Sequence, residues 1–357
     1  MSSKKFLKVV FGLLFLGVLF VGGVNYIVDP LWLFNHSNKF NQKQDGFDER
    51  QQRTNYIYFK SKGNFDGILL GSSRATFVNQ NDFENMNIFN YSSSSMQPFE
   101  YKGYIDFAKK VKEKDLKYII IGSDFYGTNI PKDIKFENPE FYIGNTLNLA
   151  YKSIFSIDAI SKSIKNIKFQ LFGTSMYYDR KNIKYQDKVS EEERYKRYTE
   201  NIKRHTLELS YPKYKYNDEY INILKTIKNE NLNSKFIIYT SAVTSDLLVS
   251  IIKNGKRWED YKRWLHELVE VFGEVNHFMT INTITRNLEN YYDDNHAYPF
   301  VLKLLANKLS NYENKDIPQD FGVLLTKNNI DEYLDFLKKE IDEYDLDNNL
   351  SQYNSLK

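Results

Sequence analysis

The chain of 357 residues contains no cysteine. This absence excludes disulfide bonds, cysteine-ligated metals and thiol nucleophiles, and it suits an exterior domain that is held together by its core alone. An excess of charge of one sign is also missing, because 49 Lys and Arg residues face 46 Asp and Glu residues. Without a strong single-sign field, nucleic acid is not expected as a partner. No His, Asp and Glu residues have metal-ligand spacing, so the sequence predicts neither a metal site nor a cofactor.

One long apolar run is present, over residues 9–28. About 20 apolar residues cross the roughly 30 Å hydrocarbon core of a bilayer. Lys4, Lys5 and Lys8 precede the run, which predicts a cytoplasmic N-terminus and an extracytoplasmic location for everything after the run. A cleaved signal peptide is the alternative, but it would usually have a shorter apolar region and a small-residue cleavage site. The sequence therefore favours a retained single-pass anchor in the cell membrane.

After the anchor, short apolar runs of strand length alternate with helical patterns. Helices are predicted over residues 98–114 and 258–272, among others, and the predicted strands are residues 66–70, 87–89, 117–121, 235–239 and 278–281. Alternation of this kind predicts an α/β fold with a doubly wound parallel sheet, as in flavodoxin-like proteins.

The segment between the third and fourth predicted strands, residues 125–234, is far longer than one crossover helix requires. Its capping pair Ser190 and Glu193 predicts a helix, so we expect a largely helical insertion that covers an edge or the mouth of the sheet. The predicted segments, in chain order, are a cytoplasmic N-terminus 1–8, an anchor 9–28, a linker and entry segment 29–63, a domain 64–312, and a C-terminal tail 313–357 with a helix over 329–344.

Polar residues lie at or soon after the ends of several predicted strands. The blocks are GSSR at 71–74, SSSS at 92–95, GSD at 122–124 and DDNH at 293–296. The carboxyl ends of parallel strands lie along one edge of an open α/β sheet, so segments far apart in sequence can converge there. A hydroxyl, a polar backbone loop, a carboxylate and an imidazole in one crevice are a combination suited to acyl transfer.

In this order, the blocks resemble those of the SGNH, or GDSL, hydrolase superfamily, which run Gly-Asp-Ser, Gly, Gly-x-Asn and Asp-x-x-His. GSSR resembles the first block with Ser72 in the place of the Asp and Ser73 in the place of the nucleophile. DDNH resembles the last block with Asp293 and His296. The resemblance covers roughly residues 64–310 and implies an SGNH-hydrolase-like version of the α/β fold.

Two positions depart from the family pattern: Ser95 stands where the second block has Gly, and Asp124 stands where the third block has Asn. The anchor, the GSSR form of the first block and the sequence HAYP after the last block narrow the resemblance. Together they are similar to membrane-anchored SGNH-like proteins of surface-polysaccharide O-acylation, which include relatives of the alginate acetyltransferases and of the teichoic-acid D-alanyl transfer proteins.

A serine hydroxyl needs a base to take its proton and a carboxylate to hold that base in the right tautomer. The resemblance assigns these roles to Ser73, His296 and Asp293. Ser72 remains an alternative nucleophile, because the sequence does not show which hydroxyl faces the crevice. The other histidines are weaker candidates, and His205 lies among Lys and Arg residues.

The oxyanion hole is expected from backbone N–H groups near Ser73 and Ser95, with position 124 in the place of the family's side-chain donor. An ionised Asp124 cannot donate a hydrogen bond. Either the backbone groups suffice, or Asp124 is protonated, or it serves the structure. Arg74 could bind an anionic acceptor, although a structural ion pair is the more common use of such a residue.

These residues predict an extracytoplasmic serine-dependent O-acyltransferase that passes an acyl group, most simply acetyl, to a cell-surface or secreted polysaccharide. The same triad would serve a polysaccharide acetyl esterase, in which water is the acceptor. A third hypothesis is a non-catalytic anchored adaptor for a membrane-embedded acyltransferase. The partners that the resemblance implies are a polysaccharide acceptor and a multipass membrane acyltransferase.

Overall fold

Helices and strands alternate along most of the chain. The structure, a computed structural model, describes residues 2–34, 36–46, 48–130 and 137–354. The helices, numbered in chain order, are α1 Ser3–Val28, α2 Glu49–Tyr56, α3 Ser73–Thr76, α4 Tyr101–Lys112, α5 Pro139–Ile154, α6 Ile157–Phe172, α7 Glu191–Glu208, α8 Tyr220–Asn229, α9 Ser245–Lys253, α10 Trp258–Phe272, α11 Pro299–Leu309, α12 Ile330–Glu343 and α13 Leu346–Asn354. The strands are β1 Lys43–Gln44, β2 Gly67–Gly71, β3 Ile88–Asn90, β4 Tyr118–Ser123, β5 Met176–Asp179, β6 Lys184–Gln186, β7 Lys235–Thr240, β8 Glu274–His277 and β9 Val323–Thr326.

The chain divides into two compact units. The first comprises Met1–Ser61 with Glu137–Tyr185, and the second comprises Lys62–Phe136 with Gln186–Lys357. This division differs from the predicted boundaries. Most of the segment 29–63, expected to be a linker, belongs to the first unit, and so does the middle of the expected insertion 125–234. Long-range contacts, which a linear reading of composition does not contain, set these boundaries.

In the first unit, α1 is long and apolar enough to cross a membrane. Its 26 residues rise about 39 Å at roughly 1.5 Å per residue, more than the ~30 Å hydrocarbon core requires. Most of its large side chains are exposed, whereas Gly22, Asn25 and Val28 near its C-terminal end are buried. The Asn25 amide donates to the backbone carbonyl of Ile154 at 2.7 Å, so this end of α1 is joined to the helices of the same unit.

The second unit contains a six-stranded sheet in the order β3-β2-β4-β7-β8-β9. The first five strands are parallel, and β9 runs antiparallel at the edge beside β8. The apolar residues of β2 and β4 are almost wholly buried, as is typical of a parallel sheet covered on both faces. The expected α/β fold with a parallel-rich sheet is therefore confirmed.

The last predicted strand is wrong. Residues 278–281 are no strand, and the sheet instead contains the preceding segment Glu274–His277. The apolar run Phe278–Ile281 is buried as the loop that follows. An apolar run indicates burial, but it does not by itself indicate a strand. The true strand ends in Asn276 and His277 and contains no such run, so the prediction from apolar residues lay four residues too far along the chain.

The C-terminal segment is not a separate tail. Val323–Thr326 pairs antiparallel with Glu274–His277 and closes the edge of the sheet. The predicted helix over 329–344 is confirmed as Ile330–Glu343, with its apolar stripe buried. The segment 125–234 contains the four helices α5 to α8, but it also contains the two short strands β5 and β6, which the largely helical prediction missed.

Candidate active site

The turn after β2 presents two adjacent serines. The strand ends at Gly71, and the short helix α3 begins at Ser73. The φ of Gly71 is +155°, and a Cβ there would lie 2.8 Å from the Cβ of Ala75. Glycine is therefore required at this turn, because any side chain would meet α3. Gly71 pairs with Gly122 in β4, which places the residues after these two neighbouring strands side by side.

Ser73 lies at one end of a hydrogen-bonded chain of three side chains. Its Oγ lies 2.8 Å from Nε2 of His296, a residue 223 positions away in sequence. The other ring nitrogen of His296, Nδ1, lies 2.8 Å from Oδ2 of Asp293. The structure thus brings together the three residues that the sequence analysis singled out as nucleophile, base and orienting carboxylate.

The electrostatics of Asp293 define the tautomer of His296. Burial raises the pKa of the Asp293 carboxyl, but the His296 charge and hydrogen bond, together with backbone N–H groups, hold that pKa at about 2. The carboxylate is therefore ionised at neutral pH and can only accept hydrogen bonds. Nδ1 of His296 must carry the proton of this contact, which leaves Nε2 free to accept the hydroxyl proton of Ser73.

The loop that carries the carboxylate and the imidazole is held by hydrogen bonds within the loop and by contacts with two distant segments of the chain. Oδ1 of Asp293 accepts the backbone N–H groups of Asn295 at 2.9 Å and of His296 at 2.8 Å. Thr244, in the loop after β7, donates to the backbone carbonyl of Asp294 through its N–H at 3.1 Å and its hydroxyl at 2.9 Å. The ring of Phe77 meets the His296 ring edge-on, with a centroid separation of 5.9 Å. These contacts orient the base from several sides.

Ser72 is engaged elsewhere. Its buried hydroxyl donates to Oδ2 of Asp124, and Nη1 of Arg74 lies 3.2 Å from the same oxygen. Asp124 therefore accepts from two neighbours, which is the behaviour of a structural carboxylate. In this arrangement Ser73, rather than Ser72, contacts His296, and Asp124 accepts the hydrogen bond of Ser72. One nitrogen of the Arg74 guanidinium forms this ion pair.

Ser95 lies in the loop after β3, exposed to solvent. Its φ is +57°, a left-handed conformation that glycine adopts at no cost. The backbone at Ser95 thus has a conformation that favours glycine over other residues. Within the described part of the chain, no hydrogen bond joins Ser95 to Ser73, His296 or Asp293.

A second imidazole–carboxylate pair adjoins the first, and the sequence analysis missed it. Nδ1 of His205, from α7, lies 2.7 Å from Oδ2 of the fully buried Asp294. Burial raises the pKa of Asp294, and the His205 hydrogen bond opposes that shift. From the same helix, the Asn201 amide donates to Asp293 at 3.4 Å. The only sign of this pair in the sequence is the doubled Asp at 293–294, because His205 lies on α7, which is remote in the chain.

Within the described ranges, no group of three or more His, Asp or Glu residues is placed to hold a metal ion. The Ser73–His296–Asp293 arrangement can activate a hydroxyl for attack on an acyl carbonyl, since a nucleophile, a base and an ionised carboxylate are hydrogen-bonded in that order.

No protein-family model matches this chain, and no curated protein matches it either.

Proposed function

We propose that the protein is a membrane-anchored, extracytoplasmic serine O-acyltransferase that acylates a cell-surface or secreted polysaccharide through an acyl-Ser73 intermediate. The observation that carries the proposal is the hydrogen-bonded chain from Ser73 through His296 to Asp293, with Asp293 ionised. The resemblance of the four blocks to the SGNH superfamily supports the same chemistry. The acyl group is most simply acetyl.

The reaction has two balanced steps. First, Nε2 of His296 takes the hydroxyl proton of Ser73 while Oγ attacks the acyl carbonyl. The imidazolium then gives that proton to the leaving group, the bond between the acyl carbon and the leaving group breaks, and the acyl-serine forms. Second, a sugar hydroxyl gives its proton to His296 and attacks the acyl-serine, and the proton returns to Ser73 as the new ester leaves. Asp293 stabilises the imidazolium in both steps.

The oxyanion of each step is stabilised by backbone N–H groups. Asp124 does not contribute, because its carboxylate accepts from Ser72 and Arg74. We assign the donors to the N–H of Ser73 and to the loop that contains Ser95, where the resemblance places the second block and where the backbone is left-handed. Asp124 instead fixes the first turn after β2, and with it the direction of the nucleophile.

A polysaccharide esterase is the second candidate, and one observation favours it. The side chain of His296 is 21% exposed, so water can reach the base that would activate it. The two candidates share the first step and differ only in whether water or a sugar hydroxyl accepts the acyl group. The adaptor hypothesis is less favoured, since an adaptor has no need of an aligned serine, imidazole and carboxylate.

The location follows from α1 and the lysines before it. Lys4, Lys5 and Lys8 favour a cytoplasmic N-terminus, which puts the second unit outside the cell membrane beside surface glycans. A multipass membrane acyltransferase would supply the acyl group from inside the cell, and α1 would keep the two proteins in the same membrane.

The proposal is tested by labelling the detergent-solubilised full-length protein with a fluorophosphonate probe. We expect covalent labelling at Ser73 and none in Ser73→Ala. Ser72→Ala is the matched control, because Ser72 bonds to Asp124 and not to His296. It should still label at Ser73, since Arg74 continues to hold Asp124 beside the turn. Absence of labelling in the folded wild type would overturn the enzyme proposal. Adding an oligosaccharide to an acetyl-ester assay then separates the two enzymes, since only the transferase forms an acetylated sugar.

A further inference from the structure

The first unit contains a cavity that the proposed reaction does not use. Its volume is about 210 Å³, far more than the roughly 10–15 Å³ that a single water molecule requires. The cavity is lined by Leu31, Trp32, Gln52, Asn55, Tyr56, Lys60, Arg180 and Asn182. Six of these eight described residues have polar side chains, two of the six are basic, and none is a carboxylate.

The unsatisfied polar atoms on this lining are hydrogen-bond donors. The Thr146 hydroxyl accepts from the Gln51 amide at 3.1 Å and donates to Oδ1 of Asn55 at 2.7 Å. The Asn55 side chain is thereby oriented, and its Nδ2 is buried without a partner. The indole N–H of Trp32 is buried without a partner as well. Both groups lack an acceptor.

The charge at the cavity is positive. Lys60 donates from Nζ to the backbone carbonyl of Phe34 at 2.8 Å, and Arg180 lies 3.4 Å from the carboxylate of Asp29. Burial lowers the pKa of Lys60, the neighbouring Arg180 lowers it further, and Asp29 partly opposes both effects. His36 also lies near Asp29. Two basic side chains and one carboxylate thus lie close together in a partly buried site.

The cavity lies close to where α1 ends. Leu31 and Trp32 follow Val28 by three and four residues, so at roughly 3.3–3.6 Å per residue they lie within about 14 Å of the helix end. If α1 spans the bilayer, this distance corresponds to the headgroup layer and the adjacent water.

The helix α6 of the same unit contacts α1 and has the pattern of an interfacial helix. Its exposed apolar residues include Ile157, Ile164 and Leu171, spaced by seven, and Phe172, which is 83% exposed. Its lysines are Lys162, Lys165 and Lys168. A basic helix with an exposed apolar face is typical of segments that lie in the headgroup region of a membrane.

We propose that this cavity binds the phosphate of a phospholipid headgroup. A phosphodiester offers only acceptor oxygens and one negative charge, which complements the donors of Asn55 and Trp32 and the cations Lys60 and Arg180. The lipid, rather than free phosphate, is the favoured source because α1 and α6 place the unit at a bilayer surface. The bound lipid would fix the first unit at the membrane in addition to the anchor.

The test uses the full-length protein reconstituted in nanodiscs that contain phosphatidylglycerol and an uncharged, phosphate-free glycolipid. Native mass spectrometry then counts the lipid retained after transfer to detergent. We expect one retained phosphatidylglycerol per protein and no retained glycolipid. Lys60→Gln should reduce this retention about tenfold, because it removes a charge-assisted contact. Lys39→Gln is the matched control: it removes the same charge from an exposed position of the same unit, outside α6 and outside the cavity lining, and should leave retention unchanged.

A second variant guards against a folding defect in Lys60→Gln. Asn55→Asp keeps the oxygen that accepts from Thr146 but replaces the free donor with a negative charge, so it should fold and lose the lipid. Equal phosphatidylglycerol retention in wild type, Lys60→Gln and Asn55→Asp would overturn the proposal. So would equal retention of the phosphate-free glycolipid. A third outcome would identify free phosphate, rather than the lipid, as the ligand. In that case inorganic phosphate raises the melting temperature of the wild type but not of Lys60→Gln, and lipid retention is the same in both proteins.

Discussion

The variant Asp293→Asn replaces one oxygen of the proposed triad with an amide nitrogen and leaves its shape unchanged. Oδ1 of residue 293 accepts two backbone N–H groups, from Asn295 and His296, so the Asn oxygen will remain there. Its NH₂ group must then face Nδ1 of His296, now 2.8 Å from Oδ2. Nδ1 becomes the acceptor and Nε2 carries the proton, so His296 can no longer take the proton of Ser73.

The size of the effect has two parts. The pKa of Asp293, raised by burial but lowered further by His296 and the backbone N–H groups, is about 2, against an ordinary value of about 3.9. A difference of roughly 2 units corresponds to roughly 2–3 kcal/mol of stabilisation of the carboxylate in the folded protein. If the imidazolium of the transition state receives that stabilisation, its loss slows the reaction close to a hundredfold. The wrong tautomer adds to this loss. The corresponding Asp-to-Asn substitution in the catalytic triad of a serine protease lowers the rate about 10⁴-fold. We therefore expect a loss between roughly 10² and 10⁴.

The assay is the second-order rate of fluorophosphonate labelling of Ser73 at pH 7.5, alongside hydrolysis of a small acetyl ester. Asp293→Asn should label slowly but measurably, whereas Ser73→Ala should not label at all. Asp294→Asn is the matched control, since it makes the same change one residue along at a carboxylate that contacts His205 instead. This variant can lose stability, but its labelling rate per folded molecule should fall by less than a hundredfold. A labelling rate for Asp293→Asn within threefold of wild type would refute the assigned roles.

Four further outcomes are expected. Asp124→Asn should lower the melting temperature and give no gain in ester turnover, because the ion pair with Arg74 at 3.2 Å is lost; higher turnover would mean that position 124 supplies an oxyanion donor. Since the pKa of Asp293 is lowered to about 2, its stabilising contribution is complete above about pH 4 and is lost as the pH falls through about 2, so the stability gap between wild type and Asp293→Asn, measured by chemical unfolding, should close in that window. Leu337→Ala, at a residue with 0% exposure, should cost about 2–5 kcal/mol of unfolding free energy with normal labelling of the folded fraction; lost labelling would connect α12 with the site. Protease added outside intact cells should digest the chain after Asp29 while α1 stays in the membrane fraction, and full protection would reverse the proposed orientation.

Much of the architecture could be predicted because local patterns determine local structure. The helix Trp258–Phe272 begins and ends where periodicity placed it, and the apolar runs near 66–70, 117–121 and 235–239 became central parallel strands. The edge strand Val323–Thr326 escaped prediction although three of its four residues are apolar, since so short a run does not distinguish a strand from any other buried segment. Its identity depends on its pairing partner.

The candidate site divides in the same way. The residue types and the order of the blocks directed attention to Ser73, Asp293 and His296, and the spacing of Asp293 and His296 in one turn is a local property. The second pair, His205 with Asp294, was invisible, because α7 approaches the loop only in the folded chain.

The sequence by itself determined the apolar helix at the N-terminus, the alternation that builds a parallel-rich α/β unit, and the glycine that the turn before Ser73 requires. These features depend on hydrophobic periodicity and on backbone sterics, which act over a few residues. Only the tertiary structure decided between the two adjacent hydroxyls: Asp124, placed beside the turn by the pairing of β2 with β4, holds Ser72, and His296, 223 residues beyond Ser73 in sequence, lies against Ser73. Hydrogen bonds act over about 3 Å in space, so the choice between two neighbouring serines depends on which distant residues the fold brings within that distance.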